Sequence, residues 1–513
     1  MDITSRKVIS LICIVSFTIA TVAQNTQPIY PVKRVENPDM WRTDGWNAVG
    51  MAKKTKIRKK AKNVILFIGD GMGISTLTAA RIFEGQMRGE SGEENRLSFE
   101  EFPFSALSKT YQVNQQTADS APTMTSIITG VKTDEGIISV NQNVRLADYT
   151  SVAGNETKTL LEYAEDAGKS TGVVSTARLT HATPAACYSH TAGRDWESDA
   201  DILKGSKPAY DANFPDIARQ LLEFKYGDGL EVALGGGRTK FIPKEAVDPE
   251  YPTRNGERLD KRDLPQEWQT KYKNSSYVWN KEQFDRVDVK KTDHLLGLFE
   301  PSHMKYEHDR LKNTSEEPSL AEMATKSIDL LSRNKRGYVL MVEAGRIDHA
   351  HHDGNAYRAL RDTVALSDAV RAVAKKVNLD ETLIIVTADH SHTLFIQGYP
   401  ARGNNILGLT RGVGELGELD KEDATDINKK PYTTLGYANG PGARKNERPS
   451  LKNEEVLDPD YKQESNIPLS AETHGGEDVA IFAIGPNAHL IRGSMEQNWI
   501  FYVMADALRL GRK

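Results

Sequence analysis

Short apolar runs alternate along the chain with segments whose apolar residues recur at helical spacing. After residue 352, for example, Leu366, Val370, Val373 and Val377 lie on one face of a predicted helix. Such alternation predicts an α/β fold with a central, mainly parallel sheet flanked by helices. The runs that are typical of strands are residues 64–68, 171–176, 338–342, 383–387 and 479–484.

The pattern changes at the N-terminus and again between residues 401 and 470. Residues 24–60 predict an arm with a short helix that carries Trp41 and Trp46. Residues 401–470 are Gly-rich, charged and poorly periodic, and they predict either an inserted loop-rich subdomain or simple surface loops. The remainder, residues 61–400 and 471–513, is expected to form one catalytic α/β core.

Residues 1–23 have the pattern of a secretory signal peptide. Arg6 and Lys7 precede an apolar stretch, and the small residues Thr21 and Ala23 provide a cleavage point. The alternative is a membrane anchor, but the stretch is short and contains several hydroxyl side chains. We therefore expect a secreted or periplasmic protein with no membrane span after the signal is removed.

The charge balance argues against a nucleic-acid-binding protein. The chain has 66 basic and 71 acidic residues, which gives a net charge of −5. Residues 53–62 are locally basic, and a solvated connector is favoured over a polyanion site. Removal of residues 1–23 would leave Cys187 as the one cysteine, so stability must come from the core and from metals rather than an intrachain disulfide.

Two short runs pair carboxylates with imidazoles. Asp348 and His352 are four residues apart, which places both side chains on the same face of a helix. Asp389 and His390 directly follow the apolar run that ends at residue 387–388. Carboxylate and neutral imidazole are zinc ligands, and two such pairs predict two metals and metal-assisted hydrolysis, most plausibly at phosphorus.

Three acids lie just beyond predicted strands. Asp70, Glu343 and Asp389 each follow an apolar run, and sites in α/β folds gather at the carboxyl ends of strands. Ser120 follows Asp119 at a predicted helix start, where backbone N–H groups can hold an oxyanion near a serine nucleophile. An Asp-Ser pair is more often a simple helix cap. The pair supports a nucleophile here because the chain also carries predicted metal ligands.

Motifs over most of the chain together resemble the alkaline phosphatases, most closely the animal-type members. The likeness runs in order from about residue 30 to the C-terminus. It implies a metal-dependent phosphomonoesterase that releases alcohol and inorganic phosphate through a phosphoserine intermediate, acting as a homodimer on small phosphate monoesters. The motifs that carry it are residues 63–73, 119–120, 181–185, 194–196, 343–352, 387–392 and 472–474.

The resemblance implies two zinc ions and one magnesium ion per subunit. An oxygen-only ligand set suits magnesium, whereas imidazole with carboxylate suits zinc. It also implies that residues 401–470 are a crown-like insertion and that the N-terminal arm reaches the neighbouring subunit. The ligands would be Asp348, His352 and His474 for one zinc, Asp70, Asp389 and His390 for the other, and Asp70, Thr183 and Glu343 for magnesium.

The same resemblance implies roles for residues that bind no metal. Ser120 would be the nucleophile, and Arg194 would grip two phosphate oxygens in a bidentate fit that lysine could not copy. Asp119 would orient Arg194. His181 and His349 stand at positions that vary within the family, and they would tune magnesium occupancy and phosphate release.

A calcium site is a further implication of the resemblance. Glu250, Phe299 and Glu300 match its ligands, since carboxylates and a backbone carbonyl suit calcium. The last ligand in the family is an aspartate, and Glu317 stands nearest here, across a length difference of two. Ordinary surface acids are the alternative.

Two other classes of protein remain as rivals. A sulfatase or phosphodiesterase would share much of the fold, but residues 120–124 lack the arginine of the sulfatase motif. A diesterase would gain less from Arg194 holding two non-bridging oxygens. The second rival, a non-catalytic metal-binding exported protein, is disfavoured by the intact nucleophile and ligand set, and hydrolysis of a chromogenic phosphate ester would decide.

Overall fold

A computed structural model describes residues 60–313, 316–444 and 447–511, with residues 29–31 and isolated positions 33, 43, 46, 47, 54 and 57. The predicted signal peptide and most of the predicted arm lie outside these residues. Within the arm Trp46 is helical and highly exposed. No helix in the described part of the chain is long and apolar enough to cross a membrane.

Fifteen strands are present in the described residues. Ten of them form one sheet in the order β15-β2-β14-β8-β1-β7-β3-β4-β6-β5, and β10-β11-β12 and β13-β9 form two small sheets. The strands are β1 (Asn63–Gly69), β2 (Phe104–Lys109), β3 (Ser170–Arg178), β4 (Val232–Gly236), β5 (Ser275–Val278), β6 (His294–Leu298), β7 (Tyr338–Ala344), β8 (Thr382–Ala388), β9 (Ser391–His392), β10 (Leu394–Ile396), β11 (Leu435–Gly440), β12 (Ser465–Pro468), β13 (His474–Gly475), β14 (Val479–Ile484) and β15 (Ser494–Glu496).

In the continuous described ranges 60–313, 316–444 and 447–511, fifteen α-helices flank the large sheet, and four short 3₁₀ turns accompany them. The 3₁₀ turns are Ser98–Glu101, Tyr149–Ser151, Arg238–Lys240 and Ala488–Leu490. The helices are α1 (Ile74–Met87), α2 (Ser120–Thr129), α3 (Leu160–Asp166), α4 (Ala182–Ala185), α5 (Asp199–Gly205), α6 (Lys207–Asp211), α7 (Ile217–Leu222), α8 (Leu264–Lys271), α9 (Lys281–Arg286), α10 (Glu307–Arg310), α11 (Leu320–Leu331), α12 (Arg346–His352), α13 (Ala356–Lys376), α14 (Asn453–Val456) and α15 (Trp499–Leu508).

The large sheet is mainly parallel, which confirms the predicted fold class. Seven adjacent strands from β8 to β5 run in the same direction. Strand β14 runs antiparallel to both of its neighbours, β8 and β2. All five runs predicted as strands are strands, although their hydrophobicity did not reveal the direction of β14.

Alternate residues of the central strands face two separate cores. In β1, Val64, Leu66 and Ile68 belong to the core on one face of the sheet, whereas Ile65 and Phe67 belong to the core on the other. Helices cover both faces, so these strands are apolar on both sides and appear in the sequence as continuous hydrophobic runs.

The carboxyl ends of four adjacent strands converge on one edge of the sheet. Asp70 directly follows β1, and Asp389 directly follows β8. Glu343 lies inside β7, one residue before its end, because the strand extends past the apolar run that predicted it. Residues 181–183 follow β3. The side chains predicted to act together therefore begin from neighbouring backbone positions.

The segment 401–470 contains little regular structure, namely β11, α14 and β12. Isolated bridges such as Leu409–Thr433 connect its loops. A small cluster of Leu409, Leu451, Val456 and Tyr461 forms its own apolar contact. These contacts agree with a packed insertion, and its boundaries remain a prediction.

Candidate active site and metal centres

Asp348, His352, His392 and His474 form a group that could hold a metal ion. We call the three predicted ligands among them, Asp348, His352 and His474, the first ligand cluster. Asp348 and His352 lie one turn apart on α12, as their spacing predicts, with 3.3 Å between His352 Nε2 and Asp348 Oδ1. His474 comes from β13, which pairs with β9 so that His474 lies opposite His392. Its Nε2 lies 3.3 Å from the same Asp348 oxygen.

The backbone fixes the tautomer of both imidazoles in this cluster. His352 Nδ1 lies 2.6 Å from the Glu472 carbonyl, and His474 Nδ1 lies 2.8 Å from the Ala118 carbonyl. A carbonyl accepts, so each Nδ1 carries a proton, and in the neutral form of each ring, the form that binds metal, Nε2 presents a lone pair. The two Nε2 atoms are 3.2 Å apart. Two facing lone pairs beside a carboxylate repel one another unless a cation lies between them.

His392 supports this cluster and is a site residue that the sequence reading left without a role. Its Nε2 lies 2.7 Å from Asp348 Oδ1, and its Nδ1 lies 2.5 Å from Glu472 Oε2. Burial lowers the pKa of His392, but the two carboxylates outweigh burial and raise it to about 9. His392 is thus held between Asp348 and Glu472, and it orients the Asp348 carboxylate.

The second ligand cluster is Asp70, Asp389 and His390, all fully buried. His390 Nε2 lies 3.4 Å from both Asp70 Oδ1 and Asp389 Oδ2. Burial holds the pKa of His390 well below its usual range, so the imidazole stays neutral, as a metal ligand must. The Gly71 N–H donates to Asp389 Oδ1 at 3.0 Å.

Gly71 must be a glycine for two independent reasons. Its φ is +67°, in the left-handed region. A Cβ at this position would also lie 2.4 Å from the His392 ring. The backbone can thus turn tightly between β1 and α1 and bring Asp70 beside the imidazoles.

Ser120 lies at the centre of the site. It is the first residue of α2, and the Asp119 carboxylate caps that helix by accepting from the Ala121 N–H at 3.2 Å. Its Oγ lies 3.1 Å from His390 Nε2 and 3.5 Å from Asp70 Oδ1. The predicted helix start is confirmed, and the hydroxyl contacts the second ligand cluster.

A third group of buried polar atoms has no hydrogen-bond partners. Asp70 Oδ2, Thr183 Oγ1, Glu343 Oε1 and His181 Nδ1 are all buried and unpaired, although buried polar atoms are nearly always paired. Ligand atoms of Asp70, His181 and Glu343 lie within 4.8 Å of one another. The other Glu343 oxygen accepts a hydrogen bond from the Ser175 hydroxyl.

Arg194 contacts Asp119, the residue before Ser120, and is held from two sides. One terminal nitrogen donates to Asp119 Oδ1, and Nη2 lies 3.1 Å from His181 Nε2. Burial opposes ionisation of Asp119, but Arg194 outweighs burial and keeps the pKa of Asp119 below its usual value. Because Arg194 can only donate, His181 accepts through Nε2 and carries its proton on the unpaired Nδ1.

His349 belongs to a group of three imidazoles at the edge of the site. Its ring lies 5.4 Å from that of His181 and 4.0 Å from that of His303. Arg346 Nη1 lies 3.2 Å from His349 Nδ1, and Arg178 Nη1 lies 2.5 Å from His303 Nε2. The guanidinium groups donate, so this side of the pocket is positively charged around neutral imidazoles.

The acids of the site repel one another in the absence of a counter-charge. Burial raises the pKa of Asp70 well above its usual range, and Asp389, Asp348 and Glu343 raise it further. Burial likewise raises the pKa of Glu343 to about 7. The protons fixed on the Nδ1 atoms of His352 and His474 and the unpaired oxygens of Asp70 and Glu343 both fit bound cations. Such cations would stabilise the ionised carboxylates.

Two acids of the predicted calcium site contact basic side chains, and in the described residues the acids of this site are not among the groups whose ligand atoms lie within 4.8 Å of one another. Arg238 Nη2 lies 2.8 Å from Glu250 Oε2, and Lys305 Nζ lies 3.7 Å from Glu300 Oε1. Burial and then Glu300 raise the pKa of Glu317 to about 8, and Glu317 Oε2 has no hydrogen-bond partner. Phe299, next to Glu300, is buried.

Comparisons with known proteins agree with this geometry. The alkaline phosphatase family model matches residues 61–510. The chain is 43% identical to an alkaline phosphatase of Gadus morhua, over 90% of this chain and 94% of the relative. It is 42% identical to the tissue-nonspecific alkaline phosphatase of Gallus gallus, over 97% of this chain and 94% of the relative.

A solved structure shares the fold at lower identity. It is a mutant alkaline phosphatase of the Antarctic bacterium TAB5, described as having Mg bound in the M3 site. It is 21% identical, its TM-score is 0.59, and the match covers 89% of this chain and all of the solved chain. With the family model and the close relatives, the conclusion is that the chain belongs to the alkaline phosphatase family and is a metal-dependent phosphomonoesterase.

Proposed function

We propose that Ser120 is the nucleophile of this phosphomonoesterase. The observation that carries the proposal is the position of its Oγ, at the start of α2 and 3.1 Å from His390 Nε2. In the first half-reaction Ser120 Oγ bonds to phosphorus as the bond to the ester oxygen breaks. In the second, water replaces Ser120 and releases inorganic phosphate, which restores the hydroxyl.

Two zinc ions and one magnesium ion are proposed for the three groups of ligands. The first and second ligand clusters, which mix imidazole and carboxylate, suit zinc, whereas Asp70, Thr183 and Glu343 offer only oxygen and suit magnesium. When bound, such ions would lower the pKa of the Ser120 hydroxyl and stabilise charge on the leaving oxygen. The unpaired oxygens of Asp70, Thr183 and Glu343 support the third assignment.

Arg194 is proposed to bind two non-bridging oxygens of the phosphoryl group. Asp119 and His181 each contact one terminal nitrogen of its guanidinium, which leaves further N–H groups to donate to a phosphoryl group. These fixed donors orient the substrate before reaction and stabilise the charge that develops on it. His181 is then proposed to reach the water around magnesium through Nδ1–H, and His349 to influence phosphate release.

Calcium bound by Glu250, Glu300, Glu317 and the Phe299 carbonyl is a separate proposal. The unpaired Glu317 oxygen supports it. Arg238 and Lys305 neutralise two of the acids, so calcium would have to compete with them.

The remaining proposals concern the whole chain. Residues 1–23 would direct export, to the medium or a periplasm, which N-terminal sequencing of exported protein would test. Residues 61–400 and 471–513 would form the catalytic core and residues 401–470 the crown-like insertion. Residues 24–60 would reach a second subunit, and the exposed Trp46 supports this role.

The first test replaces the nucleophile. Ser120→Ala should reduce monoester turnover by at least about a hundredfold, because no other hydroxyl would then accept the phosphoryl group. Zinc and magnesium content should stay unchanged. The matched control is Ser327→Ala, since Ser327 is a buried serine whose hydroxyl bonds within α11. Phosphate-labelled protein from the wild type but not from Ser120→Ala is expected, and turnover near the wild-type rate would refute the assignment.

The second test removes one magnesium ligand. Thr183→Val keeps the shape of the side chain but deletes the unpaired Oγ1, so the protein should lose magnesium and keep both zinc ions. Elemental analysis after dialysis measures this, and excess magnesium should restore activity. Thr363→Val is the control, because its hydroxyl bonds within α13. Full magnesium content in Thr183→Val would contradict the assignment.

The third test asks whether Arg194 selectively binds the dianion of a phosphate monoester. A diester has one charge fewer and a substituent where the guanidinium would bind. Each charge-assisted hydrogen bond contributes about 1.5–3 kcal/mol, so Arg194→Ala should lower kcat/KM for an aryl monoester by at least about tenfold. The loss for its methyl diester should be smaller. Arg194→Lys, which keeps the charge, should not restore the preference, and equal losses on both esters would refute the role.

The fourth test concerns assembly. A chain that begins at Ala61 keeps the hydrogen bond from the Ala61 N–H to the Ala507 carbonyl, so the core should fold and bind metal. It should lose dimer stability, because the arm would be absent. Analytical ultracentrifugation of both chains measures this. A full-length protein that is monomeric at micromolar concentration would refute the homodimer.

A further inference from the structure

Three carboxylates gather at the end of the sheet opposite to the active site. Glu165 lies in α3, Glu231 directly precedes β4, and Asp228 lies in the turn between α7 and β4. Oxygens of the three lie within 4.8 Å of one another. The three acids lie at the amino-terminal end of β3, whereas the catalytic ligands lie at its carboxyl end. Because β3 is roughly 25–30 Å long, the acids are remote from the catalytic ligands.

Thr171 holds two of these carboxylates in position, one through its backbone N–H and one through its hydroxyl. The Thr171 N–H donates to Glu231 Oε2 at 2.6 Å, and the Thr171 hydroxyl donates to Glu165 Oε1, also at 2.6 Å. Burial, and then the charge of Glu231, raise the pKa of Glu165 to about 10, while burial raises that of Glu231 to about 7. The acids therefore need either a shared proton or a cation.

The basic side chains that line the same cavity bind elsewhere. Lys169 Nζ donates to the Lys62 carbonyl at 3.0 Å, and Arg333 donates to Asp293 at 2.6 Å. The cavity has a volume of about 490 Å³ and is open to solvent beside Asp228. It has room for an ion and its water ligands.

A buried tyrosine hydroxyl provides a second, independent observation. Tyr272 is 6% exposed, and its Oη is buried without a hydrogen-bond partner. The hydroxyl lies above the turn, where a Cβ on Gly229 would be 2.3 Å away from it. Burial and then the charges of Asp228, Glu165 and Glu231 raise the pKa of Tyr272, so the hydroxyl is in the electric field of the three acids.

The tyrosine is held firmly in this orientation. Its ring stacks on His294 with 4.0 Å between centroids and contacts Trp268 at 4.7 Å. A shared proton between Glu165 and Glu231 would leave Tyr272 Oη unpaired. An ion with bound water would supply the hydroxyl with a partner and neutralise the acids together.

We propose that Glu165, Asp228 and Glu231 bind a divalent cation of the calcium class, with Tyr272 contacting its bound water. All the donors are oxygen, and oxygens this close can be reached from one ion at the calcium–oxygen distance of about 2.3–2.6 Å. The site is distinct from the catalytic clusters and from the Glu250 set. It connects α3, the turn before β4 and the segment after α8, so it stabilises the amino-terminal edge of the sheet.

The experiment measures calcium bound to the full-length metal-loaded enzyme. Equilibrium dialysis against calcium is compared for the wild type, Glu165→Gln/Glu231→Gln, and Glu300→Gln, the last being the matched control for the other proposed calcium site. The double variant should lose one calcium equivalent that Glu300→Gln retains. Zinc content and monoester turnover should not change, since the catalytic clusters lie at the other end of the sheet.

A milder variant keeps the test decisive if the double variant does not fold. Asp228 is exposed, so Asp228→Asn should fold, and it should bind this calcium at least tenfold more weakly. Calcium should also raise the thermal midpoint of the wild type more than that of Asp228→Asn. Unchanged calcium stoichiometry and affinity in Asp228→Asn would overturn the proposal and leave a shared proton as the account of the cluster.

Discussion

The arrangement of the site depends on one constraint, the burial of four carboxylates in a space too small for four uncompensated charges. Asp70, Glu343, Asp348 and Asp389 are all nearly inaccessible to water. Charges taken out of water cost several kcal/mol each unless partners compensate them. Imidazoles compensate Asp348, whereas Asp70 and Glu343 have unpaired oxygens. The surrounding fold is therefore a rigid frame that holds these groups ready for cations.

This frame is rigid because the ligands begin from regular elements. Asp70 and Asp389 are one residue beyond two hydrogen-bonded parallel strands, β1 and β8, and Gly69 is in register with Ala388. Asp348 and His352 share a helix. Their backbones are fixed by packing on both faces of the sheet, so each side chain needs only one or two further contacts to be placed.

Much of the fold and of the candidate site could be predicted from the sequence, because local residue patterns determine the strands, the helix starts and the side chains that share a helix face. The apolar runs predicted the strands, the four-residue spacing placed Asp348 beside His352, and the Asp119–Ser120 pair predicted the start of α2. The contact of His474 with Asp348 depends on the pairing of β13 with β9, which is 82 residues apart in sequence and has no local signal. The role of His392 depends on Glu472 for the same reason. Family resemblance could supply His474 because it carries non-local information that periodicity does not.

The β9–β13 pair has a consequence for how the chain can vary. The chain leaves the site at His392 and returns at His474, directly opposite. The intervening 81 residues are thus a loop with a fixed base. Closing such a loop costs only about 0.6 kcal/mol more for each doubling of its length. The outer part of this segment can therefore change in length during evolution, whereas Glu472, whose carbonyl and carboxylate hold His352 and His392, must stay beside the base.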